Sequence, residues 1–277
     1  KLAYKFHEGK RKFLLHSDIS FHGKLLGTGS ISHSPEVKFK FPGMPNTDFF
    51  KWNDIQSLEN IINHYEKKNN EPDIFAIIIE PFSASSLLEC SEKFLRKLRE
   101  ICLEKKIILI FDEIYTGWGK TGEYFYFMKY DKLVPDILTM SKSFGGGKSS
   151  ISCFTTTKKI FEKAYGNIQD STIHSTTYNA FGEESVTALE AVNIAVEDKY
   201  PERAKRIGKI IYQKLLNLKS KYPKELKEIR GQGCLQGIIF NSGPDILKKL
   251  IAIIPTDMTR DERFISKLIT SSVISNL

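Results

Sequence analysis

Cysteine is scarce in this chain: Cys90, Cys102, Cys153 and Cys234 are the whole complement, and no two stand in Cys-x-x-Cys spacing. That excludes the common thiol metal and redox motifs. Three of the four lie in apolar stretches typical of core thiols, so a reduced, cytoplasmic setting is expected. Long apolar runs are missing too. None approaches the roughly 20 residues that a membrane span requires, so a soluble protein without a membrane partner is expected. Basic residues outnumber acidic ones, 41 to 33, for a net charge of +8. No single basic block or nucleic-acid motif gathers them, which points to a solvated basic surface and no nucleic-acid partner. The sequence has no internal repeat, no low-complexity linker and no initiator methionine. Its opening, Lys1-Leu-Ala-Tyr-Lys-Phe6, reads as the tail of a helix, so an N-terminal truncation is expected, with any signal peptide upstream.

What is present suffices for a folded protein. Of 277 residues, 41% are hydrophobic and 27% charged, an ordinary globular balance in a chain long enough for a sizeable core. Short apolar runs of buried-strand length occupy 12–16, 74–79, 107–111, 137–140 and 151–154. Between them, 55–65 and 91–105 space apolar residues three and four apart, as amphipathic crossover helices do. The alternation predicts an α/β fold, its sheet parallel at least in part and covered on both faces. Farther on, helices are predicted over 180–196 and 201–219, the second opening on a proline suited to a first helical turn. Strand-like pieces follow at 226–230 and 235–240, then a helix over 244–251.

Two of these strands deliver ionisable residues. Ile107-Ile-Leu-Ile-Phe-Asp112 brings Asp112 to a strand's carboxyl end, before the glycine-rich stretch that closes at Gly122. Asp136-Ile-Leu-Thr-Met-Ser-Lys142 does the same for Lys142, before Gly145-Gly-Gly147. Ligands of parallel sheets gather beyond the strand carboxyl ends. A buried acid and a buried amine so placed suit pyridoxal phosphate. The amine can form a Schiff base with the cofactor aldehyde, and the acid can keep the pyridine nitrogen protonated, so that the ring withdraws electrons from a carbanion. Burial would lower the proton affinity of Lys142, leaving a neutral amine to attack and later to carry a proton to and from the substrate carbon.

Each residue also has a plainer reading. A lysine in a glycine-rich loop is commonly a surface charge, and an acid after a strand commonly caps a helix. Asp112 followed by Glu113 also suits the metal-binding acid of a nucleotide site. The nucleotide reading fails for want of a phosphate loop, because counting back from Gly147-Lys-Ser149 puts Lys142 where the first glycine should stand.

The segment Phe111-Asp-Glu-Ile-Tyr-Thr-Gly-Trp-Gly-Lys-Thr-Gly122 resembles the signature of the class III aminotransferases, of the ornithine, acetylornithine and 4-aminobutyrate type. Ser141-Lys-Ser-Phe-Gly-Gly-Gly147 is similar to that family's Schiff-base segment. Phe21-His-Gly23, Glu80-Pro-Phe82, His174-Ser-Thr-Thr-Tyr178 and Arg230-Gly-Gln-Gly-Cys-Leu-Gln-Gly237 continue the likeness in the family's order. The resemblance implies a pyridoxal-phosphate transferase of fold type I. Its large cofactor-binding domain would cover 1–200, truncated at the N-terminus, and part of a smaller C-terminal α+β domain would cover 201–277. It further implies Lys142 and Asp112 as the catalytic pair, Phe21 stacked on the pyridine ring, and His22 and Glu80 among the cofactor neighbours. Thr177 would offer its hydroxyl and amide to the cofactor phosphate of the other subunit in a homodimer, with His174 shaping that loop. No metal is implied.

Two positions depart from the family pattern. Tyr115 stands where a glutamine is usual, so the contact near the cofactor's phenolic oxygen would come from a phenol. Ser85 stands where many members carry a gating glutamate, and no substrate-carboxylate arginine is identified, Arg260 and Arg263 lying beyond the stretch, to about residue 240, that follows the family's order. The expected function is amino transfer between an amino donor, ω-amino compounds included, and a keto acid. The alternatives are an aminomutase of the glutamate-1-semialdehyde type and a non-catalytic aminotransferase-like protein.

Overall fold

A computed structural model describes residues 1–33, 42–67, 71–170 and 172–241. Contacts divide the chain into two compact units, Lys1–Ala204 and Lys205–Leu277. In order, the first contains α1 (Leu2–Phe6), β1 (Phe13–Ser17), α2 (Leu26–Ser30), β2 (Thr47–Phe50), α3 (Ile55–His64), β3 (Ile74–Ile79) and α4 (Glu92–Glu104). It continues with β4 (Ile108–Asp112), β5 (Ile137–Met140), β6 (Cys153–Thr156), α5 (Lys158–Tyr165) and α6 (Gly182–Glu197). Helix α7 (Tyr200–Lys221) begins at its end and runs on into the second unit.

The helix starts are written into the sequence. Asp54, Ser91 and Thr157 each accept a backbone N–H from three residues on, from Ser57, Phe94 and Ile160, and so cap α3, α4 and α5. Alternation along the strands sends side chains to opposite faces of the sheet. On one face, Leu15, Ile77, Ile79, Leu109 and Phe111 pack with Leu58 and Ile62 of α3 and with Phe94, Leu95 and Leu98 of α4. On the other, Leu14, Ala76, Ile78, Ile108 and Ile137 pack with Leu2 and Ala3 of α1 and Ile160 and Ala164 of α5.

The six strands lie in the order β2-β1-β3-β4-β5-β6. All neighbours are parallel except β6, which runs antiparallel to β5. The carboxyl ends of β1, β3, β4 and β5 therefore share one edge, where an α/β sheet places its ligands. Arg99 of α4 forms a two-pronged ion pair with Asp136, at 2.7 and 3.0 Å, and Asp136 also accepts the Leu109 N–H at 2.8 Å. One carboxylate thus ties α4 and the start of β5 to β4.

The expected α/β sheet is present, with the antiparallel strand at its edge. Strand β2 went unpredicted because only Phe50 in Thr47–Phe50 is buried. The strand predicted over 151–154 starts two residues later, at Cys153. In the second unit, β7 (Leu226–Gln232) and β8 (Leu235–Phe240) form an antiparallel hairpin with Gln232 opposite Leu235. The helix predicted over 244–251, Arg260 and Arg263 lie outside the described residues. Cys90 and Cys102 are buried, Cys153 is half-buried and Cys234 exposed, and none of the four is in a disulfide. No helix among the described residues is long and apolar enough to cross a membrane.

Candidate active site

Asp112 is the last residue of β4, and only 6% of it reaches solvent. Pairing of β4 with β5 puts Thr139 across from it, and the Thr139 hydroxyl donates to Asp112 Oδ1 at 3.2 Å. The Ile114 N–H donates to the same oxygen at 3.1 Å. His22, from the loop after β1, places Nδ1 2.7 Å from Asp112 Oδ2. A carboxylate only accepts, so the ring nitrogen facing it carries the proton. The imidazole is buried, with 1% of the side chain exposed, and the His22 backbone N–H donates to the Ser32 hydroxyl at 2.8 Å. Nε2 on the far side of the ring finds no partner among the described residues.

Glu80 follows β3 directly and accepts the Phe21 N–H at 3.0 Å and the Ala84 N–H at 3.1 Å. It thereby fixes the backbone that presents half-buried Phe21 beside His22. Burial pushes its carboxyl up to about 7, an effect opposed by nearby His22 and reinforced by Asp112. Glu113, next to Asp112 in sequence, points to other partners. It accepts the Tyr126 N–H at 2.6 Å, the Phe127 N–H at 2.9 Å and the Thr116 hydroxyl at 2.8 Å, so it organises the following loop. No three His, Cys, Asp or Glu side chains among the described residues are grouped to hold a metal ion.

Lys142 opens a short 3₁₀ turn, Lys142–Gly145, after β5. Its Nζ stands 4.7 Å from the centre of the Tyr115 ring, within cation–π range. The expectation of a buried amine is corrected here, because Lys142 is exposed. Strand β5 ends at Met140, so the cover that protects the strand stops short of the amine. Gly146 completes the turn at φ +61°, and a Cβ there would come within 3.0 Å of Ala191 on α6. Beside this turn opens a cavity of about 920 Å³, whose lining includes Trp118, Lys120, Lys142, Lys148, Glu190 and Tyr200.

The remaining expected residues are more dispersed. Thr177 lies exposed on a turn, and no hydrogen bond among the described residues joins it to Asp112 or Lys142. His174 stacks on Phe154 at 5.2 Å, and its Nδ1 lies 3.3 Å from the Tyr165 hydroxyl, which anchors the base of that loop. Ser85 is exposed. The structure thus assembles Asp112, His22, Glu80 and Phe21 around one strand end and Lys142 with Tyr115 at the next. Sequence reasoning missed Thr139 and Ser32, whose hydroxyls hold Asp112 and His22, and the contact of Lys120 with Ser143. Thr139 becomes visible only when the register of β4 against β5 is known.

An acid at the end of one parallel strand thus meets a histidine from the loop after another, with a lysine just beyond the next strand. The family model for class III aminotransferases matches residues 1–256, and the chain belongs to that family. Class III aminotransferases are pyridoxal-phosphate-dependent. A putrescine aminotransferase from Pectobacterium atrosepticum is 32% identical over 240 residues, covering 86% of this chain and 50% of that protein. An uncharacterized aminotransferase from Schizosaccharomyces pombe is 26% identical over 251 residues, 90% of this chain and 50% of its own. The ornithine aminotransferase from Toxoplasma gondii shares the fold with a TM-score of 0.77 at 22% identity, over 99% of this chain and 69% of that one. The chain spans about half the length of the curated relatives it matches.

Proposed function

We propose that this chain provides the cofactor-binding core of a pyridoxal-phosphate-dependent aminotransferase, moving an amino group from a donor with a terminal amine to a keto acid. The buried Asp112–His22 pair at 2.7 Å, on the strand beside the one that leads to Lys142, is the observation that carries this reading. The residues present fit the cofactor: an acid gripped by donors, an accessible amine, and an aromatic ring beside them. When bound, the cofactor supplies an electron sink for the carbanion formed at the substrate carbon.

The protein's part is positioning and proton transfer. Asp112 would hold a proton on the pyridine nitrogen of a bound cofactor, and His22 orients the carboxylate through its 2.7 Å contact. Phe21 would cover a face of the cofactor ring and keep water from it. Lys142 would hold the cofactor through its amine and, once the substrate amine had taken its place, would move a proton to and from the substrate carbon. Tyr115 meets the Lys142 amine through its ring face and stands ready to contact the cofactor's phenolic oxygen. Thr177 would serve the cofactor phosphate of a second copy in a homodimer. The large domain covers 1–200 and the small domain begins at 201, a boundary supported by the contact division at Ala204. The terminal-amine preference draws support from the relatives named for putrescine and ornithine.

The chain, supplied with pyridoxal phosphate, nitrogen-labelled putrescine and 2-oxoglutarate, is expected to produce labelled glutamate. Lys142→Ala should abolish the transfer, and Asp112→Asn should slow it by about 10²–10³-fold, as lost electrostatic stabilisation commonly does. Undiminished transfer in Lys142→Ala would remove the lysine from the reaction.

A further inference from the structure

Lys142 sits between two tethered serines. Ser141 Oγ donates to the Ile151 carbonyl at 2.8 Å, and Ser143 Oγ accepts from Lys120 Nζ at 2.7 Å. The same ammonium donates to the Gly117 carbonyl at 2.6 Å, within its own loop. Between these anchors Lys142 adopts φ +50°, a left-handed backbone that costs a residue with a Cβ and persists only where the surroundings hold it.

We propose that Lys120 is a positioning residue for Lys142, cross-linking the loop that follows β4 to Ser143 and so fixing the backbone from which the reactive amine projects. The role suits a lysine. Its ammonium offers three donors on a long stem, and two are committed here, one to each segment. Burial brings its pKa down to about 8, with the Lys142 charge adding to the fall, so at neutral pH the donating form still predominates. Lys120 also lines the cavity that Lys142 borders, so loosening it would let the turn shift toward open space. The inference rests on the reading of Lys142 as the cofactor-linking lysine and extends it to a residue acting through Ser143.

The test exposes the 277-residue chain to pyridoxal phosphate, reduces it with borohydride, and compares the label on Lys142 with that on exposed Lys148 by peptide mapping. Wild type should favour Lys142. Lys120→Met and Ser143→Ala should each lower the Lys142-to-Lys148 ratio by about tenfold, in keeping with the sensitivity of reactive groups to small misplacements. Lys120→Arg, which can reach both acceptors, should restore most of the preference, and Lys120→Met with Ser143→Ala should be no worse than either alone. Circular dichroism checks folding, and Ser143→Ala decides if Lys120→Met fails to fold, since it leaves the Lys120 bond to Gly117 in place. A Lys142 preference that persists in Lys120→Met and Ser143→Ala overturns the positioning role while leaving the aminotransferase reading intact. A wild-type chain without any preference for Lys142 overturns both.

Discussion

His22, Thr139 and Ile114 hold Asp112 through both of its oxygens, so the carboxylate cannot swing away without breaking several bonds at once. Removing His22 should be felt twice. His22→Phe leaves Asp112 Oδ2 buried without its donor, a loss expected to cost about 1–3 kcal/mol of stability, and lets the acid turn. A denaturation midpoint equal to that of wild type would contradict the pairing. The two buried glutamates set a pH dependence. Burial raises Glu80 and Glu113 from an ordinary 4.5 to about 7, so between those values the folded chain binds protons that the unfolded chain has released. Their contribution to stability is then fullest below about pH 4.5 and is lost as pH rises through about 7, by up to about 3 kcal/mol for each group. Urea midpoints taken at about pH 5 and pH 8 should fall with rising pH, and Glu80→Gln should reduce that fall. An unchanged slope in Glu80→Gln would place the titration elsewhere.

Strand β5 and the turn after it carry Lys142, and their position depends on Asp136. Because Asp136 accepts from Arg99 on α4 and from Leu109 on β4, Arg99→Ala leaves a partly buried carboxylate short of its counter-charge. A destabilisation of about 1–3 kcal/mol is expected, together with a looser β5, and thermal melting measures the first. Elements built from continuous apolar runs were legible in the sequence: Ile74–Ile79 and Ile137–Met140 coincide with β3 and β5. Helices α3 and α4 were legible too, from the apolar residues spaced three and four apart over 55–65 and 91–105. Strand β2 was not, because an edge strand with one buried residue carries little apolar signal. The burial of Lys142 was misread because burial was extrapolated along β5 past the point where the strand ends. His22 and Asp112 are 90 positions apart, and no local pattern joins them. Only the resemblance marked the histidine, and only the sheet order brings it to the acid.

Across the whole molecule, family and fold agree, while the chain covers about half of its curated relatives. The proposed homodimer makes a specific demand on exposed Thr177. If Thr177 serves the partner's site, mixing Lys142→Ala with Thr177→Ala subunits creates dimers in which one site carries both lesions and the other carries neither. Activity should then recover toward one working site per mixed dimer. No recovery, with subunit exchange verified, would return Thr177 to its own subunit's site or to the plain surface. The central claim, that Lys142 is the amine through which this chain holds pyridoxal phosphate, is open to a direct chemical measurement. The chain is mixed with the cofactor at equal concentration, reduced with borohydride, digested, and mapped by mass spectrometry. The account predicts the pyridoxyl group on Lys142, with the label lost in Lys142→Ala. A label on Lys120 or Lys148, with Lys142 unmodified, would contradict it.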